Sequence, residues 1–191
     1  MSDPGLSAAR ATLVAELQAH ALILGEVTLS SGATAKYYVD ARRALMRPGG
    51  FRAAGTLIAA EATKRGADAV GGPVMAAIPL ACAAIAVPGG EGLVGFFVRK
   101  ERKAHGMQRW IEGAVESGAK VLVVEDTVTT GSSTVGAIER IRSVGLEIVG
   151  TLCVVDRLAG GGASIAAAAD APFVALTTID DIYPERPDRD G

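Results

Sequence analysis

Residues 120–124, Lys-Val-Leu-Val-Val, run into two adjacent acids, Glu125 and Asp126, and then into a turn of Thr127, Val128, Thr129, Thr130, Gly131, Ser132 and Ser133. The four apolar residues show no polar alternation. That pattern marks a strand buried on both faces, as in a parallel sheet. A chain built on such a strand needs helices on both faces, and the rest of the sequence offers them. Strand-like stretches at 68–72, 93–98, 147–156 and 173–179 alternate with helix-like stretches at 51–65, 76–87, 133–145 and 164–170. The expected fold class is therefore α/β, a parallel sheet flanked by helices.

The ends of the chain read differently. Ser7 is placed to cap a first helix that runs to about Leu24, with Leu13, Leu17 and Leu24 on its apolar face and Gly25 closing it. Two short β-like pieces, 26–29 and 36–40, follow as a small hairpin. Helix and hairpin form an N-terminal hood over about residues 1–45. The tail from 184 to 191, Pro-Glu-Arg-Pro-Asp-Arg-Asp-Gly, has no apolar content and is expected to be disordered. The 191 residues fit one domain, since about 100–200 residues per domain is usual.

A net charge of −2 excludes a whole-protein basic field for nucleic acid. No apolar run reaches the roughly 18 residues a membrane span needs, and the N-terminus lacks the pattern of a signal peptide. Cys82 and Cys153 both sit in apolar stretches and read as buried thiols of a reducing compartment. The expectation is a cytoplasmic protein with neither nucleic acid nor membrane as partner.

In open parallel sheets ligands bind beyond the carboxyl ends of the strands. The turn at 127–133 leads into a helix, whose first N–H groups and partial positive charge suit an anion. Thr129, Thr130, Ser132 and Ser133 add hydroxyl donors, and Gly131 lets the backbone approach. The turn therefore suits a phosphate. The two carboxylates do not; they suit sugar hydroxyls, or Mg²⁺ held directly or through water. A ribose 5′-phosphate satisfies both halves. A P-loop lysine and a dinucleotide glycine pattern are both missing.

A second cluster lies at 98–113. Arg99, Lys100, Arg102, Lys103, His105 and Arg109 fall within eleven residues with Glu101 as their one acid. A solvated loop is the plain reading. A cationic lid over a polyanion is the functional one, since positioned donors stabilise charge developing on a leaving anion.

The stretch 121–133 resembles the motif by which phosphoribosyltransferases bind 5-phospho-α-D-ribosyl 1-diphosphate (PRPP). The stretch 99–106, Arg-Lys-Glu-Arg-Lys-Ala-His-Gly, resembles the catalytic loop of the orotate phosphoribosyltransferases. Residues 25–43 resemble that family's hairpin, with Ser31, Gly32, Tyr37, Tyr38 and Asp40 matching and Ser30 where many members carry Lys. Residues 71–81 resemble its pyrophosphate loop, with Ala76 where some members carry Lys.

The resemblance implies the phosphoribosyltransferase-like fold and a glycosyl transfer from PRPP to orotate, aided by Mg²⁺. It implies PRPP contacts from Arg99, Lys100, Lys103, His105 and residues Glu125 to Ser133. Lys100, Lys103, His105 and Asp126 would be the catalytic groups. Orotate would be held by Thr129 and by Arg157, which follows the strand 147–156 and can clamp a carboxylate. The family's active unit is a homodimer whose loop, here Arg99–Gly113, reaches into the neighbouring subunit. Transfer to another base, or a PRPP-sensing regulator, are the alternatives.

Overall fold

The computed structural model describes residues 3–28, 34–101 and 110–189. Its chain order is α1 (Pro4–His20), β1 (Leu22–Thr28), β2 (Thr34–Val39), α2 (Arg42–Leu45), α3 (Pro48–Arg65), β3 (Ala69–Pro73), α4 (Ala77–Ile85), β4 (Val94–Val98), β5 (Ile111–Gly113), β6 (Lys120–Val128), α5 (Ser132–Ser143), β7 (Glu147–Asp156), α6 (Gly161–Ala169), β8 (Phe173–Thr178) and α7 (Ile179–Ile182). The main sheet has the order β5-β4-β3-β6-β7-β8, and only β5 runs antiparallel to its neighbour. β1 and β2 form a separate antiparallel pair.

The unbroken apolar run in β6 divides by strand parity. Leu122 and Val124 enter the cluster that holds Leu13, Leu17 and Ile58 of α1 and α3, with Leu80 of α4. Val121 and Val123 enter the opposite cluster, with Ala137 and Ile141 of α5. Successive side chains leave a strand on opposite faces, so a strand covered on both sides must be apolar at every position. Cys153 of β7 and Ile165 of α6 extend the second face toward Val128.

The first helix differs from expectation at both ends. Helix α1 starts at Asp3, whose carboxylate accepts the Gly5 N–H at 2.7 Å, with Pro4 in its first turn. It ends at His20, because Leu22–Leu24 pair with Tyr37–Val39 and cross-strand bonds replace the helical ladder. Gly25 (φ 123°) then sits in the irregular step between Leu24 and Val27 rather than closing the helix. Helix α1 packs into the main core beside Ile58 and Leu80.

Cys82 is exposed and only Cys153 is buried. The polar stretch after Val98 contains β5, which the pattern did not show. The tail is placed as far as Arg189. There Arg186 pairs with Asp180 and with Asp188, the latter at 3.3 Å. Among the described residues no helix is long and apolar enough to cross a membrane.

Candidate active site

A cleft of about 620 Å³ opens at the carboxyl ends of the parallel strands. Its floor is Asp126, Thr127 and Thr129 of β6 and the turn after it. Arg157, just past β7, forms one wall. Tyr38 and Asp40 from the end of β2, with Arg42 of α2, form the roof. Met75 and Ala76, in the loop after β3, and Lys100, just past β4, complete it. The sequence-predicted Lys100, Asp126, Thr127, Thr129 and Arg157 therefore meet in one place.

The loops after β6 and β7 are stitched together by the backbone. Arg157 N–H donates to the Val128 carbonyl at 2.8 Å, and Gly161 N–H donates to the Thr129 carbonyl at 3.1 Å. Beyond Thr129 the chain turns at Gly131 (φ 79°), which caps α5. A Cβ there would stand 2.8 Å from the Gly161 oxygen, so the turn requires glycine twice, for its conformation and for its clearance. No side chain caps α5 and no acid lies in its first turn. Its first N–H groups are thus kept for an outside acceptor. Thr130 and Ser132 share a hydroxyl hydrogen bond of 2.7 Å at the exposed rim of the turn.

The two acids part company. Strand parity sends Glu125 toward α5 and Asp126 toward the cleft. Glu125 is only 6% exposed. Its Oε2 accepts from the hydroxyls of Ser133 at 3.3 Å and Thr134 at 3.2 Å. Burial, and then the neighbouring Asp126 charge, push Glu125 up to about 7. Asp126 is also raised by burial, while the Thr127 N–H at 2.7 Å and the Arg42 charge favour its ionised form. Glu125 does not line the cleft, so the two acids do not face a sugar diol side by side.

Other expected PRPP contacts are also redirected. The Val128 side chain is buried against Ile138 and Ile165, which leaves only its backbone for a ligand. Ser133 spends its hydroxyl on Glu125. Arg99 turns away from the floor. Its N–H donates to the Trp110 carbonyl at 2.9 Å, and its guanidinium lies 3.7 Å from Glu112. Lys103 and His105, with Arg102 and Arg109, lie outside the described residues, as do Ser30, Ser31 and Gly32.

Arg157 has a fixed seat. Its Nη2 donates to the Tyr37 hydroxyl at 3.0 Å, and its guanidinium carbon lies 4.9 Å from the centre of the Tyr37 ring. Its Nε is buried with no partner among the described residues. Arg42 is a site residue that sequence reasoning passed over. It pairs with Asp40 at 2.7 Å and brings a cation close to Asp126. Its signal was present in Val-Asp-Ala-Arg-Arg (39–43), directly after the hairpin.

Among the described residues no three His, Cys, Asp or Glu side chains form a metal cage. Asp126 is the carboxylate on the floor. One carboxylate beside an anion site suits Mg²⁺, which keeps waters and binds mainly through substrate phosphates.

Residues 49–172 match the family described as the phosphoribosyl transferase domain. The chain is 44% identical over 183 residues to the orotate phosphoribosyltransferase of Corynebacterium glutamicum, covering 95% of this chain and 98% of that one. Among solved structures, Mycobacterium tuberculosis H37Rv orotate phosphoribosyltransferase in complex with Fe(III) dicitrate superposes with a TM-score of 0.82 at 40% identity, over 91% of this chain and 98% of that one. The same enzyme in complex with PRPP superposes with a TM-score of 0.78 at 34% identity, over 91% and 98% of the two chains.

Proposed function

The chain belongs to the orotate phosphoribosyltransferase family, and from that premise we propose how its cleft performs the family's reaction. The enzyme transfers ribose 5-phosphate from PRPP to orotate in pyrimidine biosynthesis. The bond from C1 of the ribose to pyrophosphate breaks, a bond from orotate N1 to C1 forms, and N1 gives up its proton. The products are orotidine 5′-monophosphate and pyrophosphate.

The 5′-phosphate sits at Thr129–Ser133, where the first N–H groups of α5 have no side-chain cap. Asp126 accepts from the ribose hydroxyls. Glu125 acts from behind, through Ser133 and Thr134, to hold the start of α5. Arg157 takes the orotate carboxylate, and Thr129 lies beside it. Lys100 faces the leaving pyrophosphate from its own chain, and Lys103 and His105 serve it from the neighbouring subunit of a homodimer. Positioned cations at that point lower the barrier as charge moves onto the pyrophosphate oxygens. Asp126 is the residue that would hold Mg²⁺ here, and the ion would supply positive charge to the same oxygens. The compartment is the cytoplasm.

One observation carries this reading: Asp126, Thr129 and Arg157 line a single cleft. It joins a sugar acceptor, a phosphate turn and a carboxylate clamp around one cavity. The experiment is PRPP-dependent turnover with orotate, uracil, adenine and hypoxanthine as competing bases. Turnover with orotate alone is expected. Equal use of a base without a carboxylate removes Arg157 from its role, and PRPP binding without turnover would make the chain a sensor.

A further inference from the structure

The Tyr37 hydroxyl stands between two charged partners. Arg157 Nη2 donates to its oxygen at 3.0 Å, and the hydroxyl proton faces both carboxylate oxygens of Asp188 at 3.0 Å. Tyr37 is 5% exposed. Its ring meets the edge of Tyr183 at 5.3 Å and 81°, so it has little freedom to turn. Asp188 belongs to the tail, which is held by several independent contacts. Arg186 pairs with Asp188 and with Asp180 of α7, its N–H reaches the Tyr183 carbonyl at 3.2 Å, and Arg189 donates to the Pro184 carbonyl at 2.9 Å.

A phenol has one proton and can also accept. If that proton goes to Asp188, the oxygen is left as an acceptor toward Arg157. The direction of the first bond thereby decides the second. Arg157 is a cation with five N–H donors. With Nη2 held by Tyr37 and the buried Nε without a hydrogen-bond partner among the described residues, the guanidinium is anchored at one corner and has a donor to spare.

We propose that Tyr37 and Asp188 are positioning residues for orotate recognition, a relay in which the C-terminal tail sets the Tyr37 hydroxyl and the hydroxyl sets the guanidinium of Arg157. The inference rests on the reading of Arg157 as the orotate clamp. It gives residues 184–189 a task in specificity, although they lie outside the cleft. PRPP is held at the other loop, so the relay acts on one substrate only.

The test is steady-state kinetics of the full chain with orotate and PRPP varied separately, for R157A, Y37F, D188N, D188E and the Y37F/D188N double variant. Losing one orienting hydrogen bond is expected to raise KM for orotate about 3- to 10-fold in Y37F and in D188N. Turnover number and KM for PRPP should stay within about twofold. D188E, which keeps a carboxylate on a surface tail, should recover most of the loss. The double variant should be no worse than Y37F alone, because both changes cut the same relay.

Losses that multiply in the double variant, or a PRPP KM that rises as much as that of orotate, would overturn the relay. R157A separates the two levels. If R157A weakens orotate while Y37F and D188N do not, the clamp stands and the relay is wrong. If R157A leaves orotate unaffected, both fall. Thermal unfolding of D188N, a change at a half-exposed site, guards against reading lost fold as lost recognition.

Discussion

Thr134 donates its hydroxyl to Glu125 Oε2 at 3.2 Å, so an acid of β6 is tied to the first turn of α5 rather than offered to the cleft. This bond fixes the start of the helix whose N–H groups form the phosphate site. The same carboxyl is buried, and burial, with the Asp126 charge beside it, raises its proton affinity to about 7 from an ordinary 4.5 while the Thr134 bond pulls the other way.

The pH dependence follows from that rise. Between about pH 4.5 and 7 the folded protein keeps a proton on Glu125 that the unfolded chain has released. Stability is therefore greatest below this window, falls as pH rises through it, and levels off above. The size is on the order of 1–3 kcal/mol. Asp126 shifts in the same direction and adds to the slope. In urea unfolding of the ligand-free protein at pH 5, 6, 7 and 8, Glu125→Gln should flatten the dependence. Parallel curves for the two proteins would remove Glu125 as its source.

Arg157→Ala should weaken orotate far more than PRPP. A charge-assisted pair lost from the wall of the cleft costs about 1.5–3 kcal/mol, roughly 10- to 150-fold. Isothermal titration with each substrate checks it. Equal weakening of both would place Arg157 outside the orotate site.

Gly131→Ala should damage PRPP binding and stability together. The left-handed backbone alone costs a β-carbon about 1–2 kcal/mol, and the new methyl would also meet Ile165 Cγ1 at 2.9 Å. Gly136→Ala, four residues into α5, is the control. Its nearest neighbour would be Arg140 Nη1 at 3.9 Å, and removing a mid-helix glycine stabilises by about 0.5–1 kcal/mol. PRPP affinity and melting temperature should fall for the first and hold or rise for the second.

Lys100→Ala should lower kcat more than it raises KM for PRPP. A cation that meets the leaving pyrophosphate gains most in the transition state, and such contacts act on kcat. A change confined to KM would make Lys100 a ground-state binding group.

Subunit mixing tests the shared site. Lys103→Ala and Asp126→Ala subunits, each inactive as a homodimer, should recover activity when dissociated and reassociated together. In the hybrid one site collects both changes and the other neither. Turnover near half of wild type per hybrid is expected, with exchange verified by mass. Verified hybrids without turnover would show that Lys103 serves its own subunit.

Much of the fold was written in local pattern. The unbroken apolar run at 121–124 demanded cover on both faces, and Leu122 and Val123 do enter opposite clusters. The acid-and-hydroxyl turn after it, and Arg157 after the next strand, carried enough chemistry to mark the floor and wall of the cleft. The turn also carries part of the family resemblance, because a phosphate turn is a contiguous piece of backbone and leaves a contiguous trace.

What composition and pattern left open was set by contacts distant in sequence. The sequence by itself determined the parallel sheet, the phosphate turn and the identity of the charged groups around it. Only the tertiary structure decided which way those groups face. Adjacent Glu125 and Asp126 look equivalent along the chain, yet one is buried against α5 and the other opens to the cleft, since a strand turns successive side chains to opposite sides. The tail looks structureless, yet Asp188 reaches Tyr37, 151 positions away. Such a contact depends on where β2, α7 and the tail converge, and no local signal records that convergence. The task of Tyr37 is hidden for the same reason: its hydroxyl acquires one only when Arg157 and Asp188 arrive on either side of it.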